Sequence, residues 1–251
     1  MQKKPKKPSK KNSSSVRGAG KATSAKAVGR GGGIRGTNPE RVRAILKKLD
    51  EAYPDVTCAL AHENPFQLLI STILSAQCTD VRVNQVTETL YKKYPNAKAF
   101  AYANPTELQQ DIRPTGFFRN KTKSIMGASK QIVEELRGEV PKTMEELLKL
   151  PGVARKTANV VLGTAFGIAS GVVVDTHVLR LSRRLELTQA TEPILVEKDL
   201  MKIIPQDHWI AFSHELIHHG RQICIARKPR CVDCTLEPLC YSGDKTWSSH
   251  D

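Results

Sequence analysis

Three times in this 251-residue chain an asparagine–proline pair stands immediately before an apolar series at helical spacing: Asn38-Pro39, Asn64-Pro65 and Asn104-Pro105. Asparagine caps a helix by accepting from the free amides of its first turn, and proline at the first helical position sacrifices no bond. After the first pair, Val42, Ile45, Leu46 and Leu49 recur at helical spacing until Tyr53-Pro54 ends the segment. After the second, Phe66, Leu68, Leu69, Ile73 and Leu74 make a helix apolar nearly all round, expected at the core of a lobe. Gln77-Cys78-Thr79 breaks it, and Thr79 caps a helix that begins at Asp80. The third pair starts a short helix ending near Arg113-Pro114, and the turn Thr115-Gly116-Phe117-Phe118 leads into a long helix from about Arg119 to Leu136. Thr143 with Glu146 forms a capping box, Glu192-Pro193 opens a later helix, and Trp209, Phe212, Leu216 and Ile217 make an apolar stripe. No alternating strand pattern and no hairpin dipeptide between apolar runs interrupts this. The pattern predicts an all-α chain of about ten helices joined by short connections.

Charge divides the chain unevenly. The formal net charge is +14, yet residues 1–39 hold 11 Lys and Arg with no Asp or Glu. The other 28 basic residues face all 25 acidic ones, so the body is nearly neutral. Residues 1–37, rich in Lys, Ser, Gly and Pro without apolar periodicity, are expected to be a disordered basic tail that strengthens salt-sensitive attraction to a polyanion. The alternatives are a solubilising or targeting segment, but the tail has no apolar core for secretion. No stretch approaches the ~18 apolar residues of a membrane span, so a soluble protein is expected.

The stretch Leu150–His177 carries the chemistry. Pro151-Gly152 breaks the chain between two helix-like segments, leaving a hairpin that presents backbone N–H groups to a phosphate. Lys156 follows, at the mouth of an apolar helix containing Val160, Val161, Leu162, Ala165 and Phe166. Val172-Val173-Val174 then delivers Asp175 to the start of another helix. A phosphate grip, an amine and a carboxylate together suggest chemistry on a nucleic acid, although a surface lysine and an Asp N-cap would explain the last two blandly.

Four of the six cysteines crowd the C-terminal region at the spacing Cys224-x6-Cys231-x2-Cys234-x5-Cys240. This is a metal-ligand pattern for a reducing compartment rather than a secreted disulfide framework. Four thiolates suit either a tetrahedral zinc or a [4Fe-4S] cluster, and the wide loops favour the bulkier cubane. The loop between the first two ligands carries Arg227, Lys228 and Arg230, three positive charges held at both ends.

The hairpin Leu150-Pro151-Gly152-Val153-Ala154-Arg155-Lys156-Thr157-Ala158, the segment Val174-Asp175-Thr176-His177 and the four-cysteine spacing resemble the endonuclease III family, helix–hairpin–helix DNA glycosylases with AP lyase activity. Leu74-Ser75-Ala76-Gln77 before Thr79-Asp80, Gly116 followed by Lys121, and His219-Gly220-Arg221 look like it too, so the likeness spans roughly residues 37–241. It implies two helical lobes flanking a DNA-binding cleft: a six-helix barrel lobe over 58–168, and an iron–sulfur lobe made of 38–57 with 169–241. Residues 242–251 would be a C-terminal tail. Cys224, Cys231, Cys234 and Cys240 would hold a [4Fe-4S] cluster.

By the same resemblance, a damaged nucleotide in double-stranded DNA is flipped into the cleft. Gly152, Val153 and Ala154 would grip the backbone, and Arg227, Lys228 and Arg230 would add phosphate contacts. Gln77 would fill the gap, with Phe117 or Phe118 as a wedge. Lys156 would attack C1′, expel the base and cut the strand by β-elimination, with Asp175 stabilising the positive sugar. An attacking amine must be neutral, so partial burial beside Arg155 is the expected setting of Lys156. The family hairpin usually has glycine where Ala154 stands; a left-handed backbone there would cost alanine about 1 kcal/mol. His177, His218 and His219 are read as structural, because four cysteines complete a metal site. Three rivals remain in view: a monofunctional adenine or thymine mismatch glycosylase, against which Lys156 argues, a noncatalytic iron–sulfur DNA-binding protein, which needs neither Lys156 nor Asp175, and a zinc-dependent DNA-binding module. A monomer in a bacterial cytoplasm is expected, with a nucleus as the alternative given Lys3-Lys4-Pro5-Lys6-Lys7.

Overall fold

The computed structural model describes residues 35–249. The expected basic tail therefore falls almost wholly outside the described residues. Among these, eleven α-helices and four short 3-10 turns account for the regular structure. In chain order they are α1 Pro39–Ala52, α2 Pro65–Leu74, α3 Asp80–Lys93, α4 Ala97–Ala101, α5 Pro105–Asp111, α6 Phe118–Glu135, α7 Met144–Leu147, α8 Arg155–Phe166, α9 Thr176–Arg184, α10 Pro193–Ile203 and α11 Trp209–Gln222.

The helix starts follow from the residues that precede them. Asn38, Asn64 and Asn104 each accept first-turn amides through the side chain, with proline at the first helical position. Thr79 caps α3 by accepting from the Arg82 amide. Thr143 accepts from the Glu146 amide while its hydroxyl donates to the Glu146 carboxylate.

Two apolar cores result, one per lobe. The first gathers side chains from Leu60 to Leu162, with Leu68, Leu69 and Ile70 of α2, Phe100 of α4, Ile125 and Ile132 of α6, and Val161 of α8 among its fully buried members. The second joins Val42, Ile45 and Leu49 of α1 to Val178 and Leu181 of α9, Leu200 of α10, and Phe212 and Leu216 of α11. Each such side chain contributes roughly 1.5–3 kcal/mol by leaving water. The stripe of α1 thus packs on residues more than a hundred positions away. Arg41, on that same stripe, is buried; its Nε and Nη2 donate to Leu239 O and Nη2 also to Leu185 O at 2.8 Å. Between the lobes, Arg155 Nε of α8 donates to Glu197 Oε2 of α10 at 2.8 Å, and Arg221 Nη2 of α11 to Asp80 Oδ2 of α3 at 2.7 Å. No helix among the described residues is long and apolar enough to cross a membrane.

Candidate active site and metal centre

The hairpin is built around Gly152. Its φ is +79°, a region that disfavours L side chains, and an added Cβ would overlap Ser124 Cβ of α6. Val153 turns inward into the first core. Ala154 is the N-cap of α8 in an extended conformation, φ −98° and ψ 170°. The left-handed backbone that would have penalised alanine is absent, so the second glycine is unnecessary here. Alanine offers no side-chain cap, which leaves the first-turn amides of α8 without a side-chain acceptor at the positive end of the helix dipole.

Lys156 is the second residue of α8 and is exposed. Its neighbour Arg155 turns away to Glu197. The partial burial expected for Lys156 is not found, and the Arg155 charge expected beside it is paired with Glu197. Glu197 lies buried, accepting from Arg155 Nε and from Asn159 Nδ2 at 2.8 Å, and Ser170 Oγ donates to Asn159 Oδ1. This anchor of α8 on α10 was not visible in the sequence, because its partners lie about forty positions apart.

Asp175 caps α9. Its Oδ1 accepts from the His177 and Val178 amides at 2.7 and 2.8 Å, while Oδ2 has no hydrogen bond among the described residues. The cap and the cavity-facing carboxylate are one side chain. Lys156, Asp175 and Gln77 line a single cavity of about 260 Å³ together with Asp80, His218 and Arg221. Phe117 does not line it; it stands 61% exposed at the start of α6. Gln77, Phe117 and Lys228 are all non-glycine residues with positive φ, between 46° and 54°. Such conformations cost about 1 kcal/mol or more each and cluster at functional sites.

The four cysteines near the C-terminus line a second, separate pocket. Among the described residues, no three His, Cys, Asp or Glu side chains are grouped to hold a single metal ion. The thiols instead surround a common space. Burial pushes the Cys234 thiol up to about 12, and it raises Cys224 and Cys240 as well. Two N–H groups donate to the sulfurs, Arg184 Nη1 at 3.3 Å from Cys224 Sγ and the Thr246 amide at 3.4 Å from Cys231 Sγ, and His219 Nε2 lies 3.3 Å from Cys234 Sγ. His219 Nδ1 is hydrogen-bonded to Tyr53 Oη at 2.7 Å, in keeping with a structural histidine. Arg227 and Lys228 are exposed on the loop between the first two cysteines, whereas Arg230 is paired with Asp233 at 2.8 Å.

Residues 242–249 fold back over this pocket. Arg184 donates to Asp244, Lys245 pairs with buried Glu237, Thr246 Oγ1 donates to Pro229 O, and Ser249 Oγ donates to Glu237 at 2.6 Å.

Residues 70–206, more than half of the chain, match the HhH-GPD superfamily of base excision DNA repair proteins. Endonuclease III of Synechocystis is 60% identical over 204 residues, covering 81% of this chain and 93% of that protein. The fold is similar to that of a non-covalent endonuclease III–DNA complex, with a TM-score of 0.77, 44% identity and coverage of 81% of this chain and 95% of the other. A trapped endonuclease III–DNA covalent intermediate matches with the same TM-score and identity and 96% of its chain covered. The chain belongs to the endonuclease III family of base excision repair DNA glycosylases.

Proposed function

We propose that this chain excises damaged pyrimidines from duplex DNA and cleaves the resulting abasic site through a Schiff base on Lys156. The observation that carries the reading is the shared cavity of Lys156, Asp175 and Gln77, beside the uncapped start of α8. The Lys156 amine attacks C1′ of the flipped nucleotide and the base departs, taking a proton. The C1′–O4′ bond then breaks, O4′ takes the proton that the attacking amine gives up, and an iminium forms between Nζ and C1′ of the opened sugar. A proton then leaves C2′, the 3′ phosphate departs, and water hydrolyses the iminium to free the lysine. Asp175, with Oδ1 held by the cap, directs Oδ2 at the developing positive charge. Since Lys156 is exposed in the free chain, the water-excluded setting for the neutral amine is supplied by the bound duplex.

The hairpin from Gly152 to Ala154 and the amides of α8 grip one phosphate backbone, and Arg227 and Lys228 add contacts to it. Arg230 contributes less to DNA, because Asp233 shares its charge. Gln77 fills the vacated stack and Phe117 wedges the opposite strand. The family resemblance points to oxidised pyrimidines as substrates.

Cys224, Cys231, Cys234 and Cys240 hold a [4Fe-4S] cluster. Four sulfurs around one space, with N–H groups donating to two of them and an imidazole nitrogen beside a third, fit such a donor set. When bound, the cluster fixes the loop of Arg227 and Lys228 and supplies no step of the reaction. We take the lobes as 58–168 and as 38–57 with 169–241, acting as a monomer on chromosomal DNA in a bacterial cytoplasm.

The test is covalent trapping. Incubation with an abasic-site duplex and borohydride should yield an adduct that disappears in Lys156→Ala. An undiminished adduct in that variant, or none with the parent protein, would refute the mechanism. Iron analysis separately decides the metal: about four irons in brown protein are expected, and stoichiometric zinc in colourless protein overturns the assignment.

A further inference from the structure

Lys121 lies in the first turn of α6 and is only 5% exposed. Lysine is almost never buried this far unless its ammonium is paired or fully hydrogen-bonded. Among the described residues no carboxylate pairs with it. Its Nζ donates instead to two backbone carbonyls, Leu74 O and Thr115 O, both at 2.7 Å.

Those two carbonyls belong to separate segments. Leu74 is the last residue of α2, whose terminal carbonyls carry the negative end of the helix dipole and attract a cation. Thr115 ends the 3-10 turn that precedes Gly116. Three residues beyond Leu74 stands Gln77 with φ 54°, and two beyond Thr115 stands Phe117 with φ 46°. Both side chains are exposed and both backbones are left-handed without glycine. A strained conformation persists only where its surroundings impose it. Here a buried ammonium bonds to the roots of both turns.

We propose that Lys121 is a positioning residue that ties the Gln77 turn and the Phe117 turn into one mechanical unit, so that both side chains enter the duplex together. The proposal rests on the DNA roles given above to Gln77 and Phe117. A gap-filler and an opposite-strand wedge act on one base-pair step, where a misplacement of about 1 Å costs on the order of a hundredfold in rate. Two independent turns would drift apart. Two hydrogen bonds from one nitrogen hold their roots at a fixed separation. A buried charge is weak evidence for stability alone, since an apolar side chain of similar volume often stabilises as well. Burial also draws the Lys121 ammonium below the usual lysine range, and a nearby Cys78 thiolate would oppose that shift.

The test compares the full-length protein with Lys121→Met under single-turnover conditions. Excision of a damaged pyrimidine from a paired duplex should fall by about tenfold or more, while cleavage of a preformed abasic site, which has no base to displace, should fall by less than about threefold. In the parent protein Gln77→Ala and Phe117→Ala should each slow excision, and in the Lys121→Met background their effects should shrink below about twofold. Equal slowing on both substrates, or unchanged Gln77 and Phe117 effects in the variant, overturns the proposal. Should Lys121→Met not fold, hydrogen exchange on the parent protein decides. The amides of Cys78 and Gly116, bonded to Ser75 O and Arg113 O, should open with rates within about threefold of each other, and a tenfold difference refutes coupling. If Gln77→Ala and Phe117→Ala are both silent in the parent protein, the DNA roles fail, and the exchange rates still decide whether the turns move together.

Discussion

Arg155 and Glu197 meet at 2.8 Å across the lobe boundary, and Asn159, one turn further along α8, donates to the other oxygen of the same carboxylate. Glu197 thereby fixes the rotation of α8 and keeps the Arg155 guanidinium off the cavity in which Lys156 stands. Gly171 packs so close that a Cβ there would overlap Glu197 Oε1. Replacing Glu197 with alanine leaves Asn159 without its acceptor and Arg155 without its partner. We expect a loss of about 2–3 kcal/mol in urea unfolding, with Glu197→Gln at about half of that because one hydrogen bond survives.

Asp175 serves as a cap through one oxygen and faces the cavity with its side chain. Asparagine caps a helix as well as aspartate does, so Asp175→Asn separates the two roles. Stability should stay within about 0.5 kcal/mol, while base excision drops by about a hundredfold or more. Parallel falls in melting temperature and activity would reduce Asp175 to a structural residue.

The hairpin predicts an asymmetry between its two small residues. Gly152→Ala meets both a positive φ and the Ser124 side chain, and should cost about 2–4 kcal/mol with weakened binding to undamaged duplex. Ala154→Gly, at an extended position, should shift stability by less than about 1 kcal/mol and leave binding unchanged. Fluorescence anisotropy with a labelled duplex measures both.

Glu215 of α11 is buried in the second lobe, and its Oε2 finds no hydrogen bond. Burial first, and the nearby Asp50 second, push its carboxyl up to about 8. The folded state therefore holds a proton that the unfolded chain releases near the ordinary glutamate value. This contribution is fully present below about pH 4.5 and is lost as pH rises towards 8, by up to about 1.4 kcal/mol per pH unit. Glu215→Gln should flatten the dependence and exceed the parent in stability at pH 8. Identical slopes in urea melts between pH 5 and pH 8 would contradict this.

The segment 242–249 predicts slower exchange of whatever the four thiols hold. A chain ending at Tyr241 loses the Thr246 amide beside Cys231 and the ties from Asp244 to Arg184 and from Lys245 to Glu237. Iron release to a chelator, followed by absorbance, should accelerate by about tenfold while the far-ultraviolet helix signal is retained. An unchanged rate would assign the segment no protective role.

Local chemistry made most of the helix starts legible. Asn38, Asn64, Asn104 and Thr79 act within three residues of themselves, and the structure puts each where the sequence did. Lys156, Asp175 and Gln77 could be picked out because their motifs are continuous, and the fold brings them to one cavity. What escaped were polar residues whose partners lie far along the chain: Glu197, Arg41, and Lys121, which entered only as part of a motif. Each carried a signal. Lys121 lies on the buried stripe with Ile125, Ala128 and Ile132, and Arg41 on that with Ile45 and Leu49. A long charged side chain on an apolar stripe needs a buried partner, but periodicity alone does not say which one.

The reach of Arg41 to Leu239 across 198 positions has a consequence for how the chain is made. During synthesis the first lobe can condense as soon as α8 has emerged, because its core is contiguous. The second cannot, since α1 must wait for α9 to α11 and the carbonyl of Leu239 before its stripe and its guanidinium are covered. Contacts this distant in sequence carry a large loop-closure entropy and form late. A nascent chain released early would thus leave α1 as an uncovered amphipathic helix on an otherwise folded lobe, the kind of surface that chaperones and proteases engage.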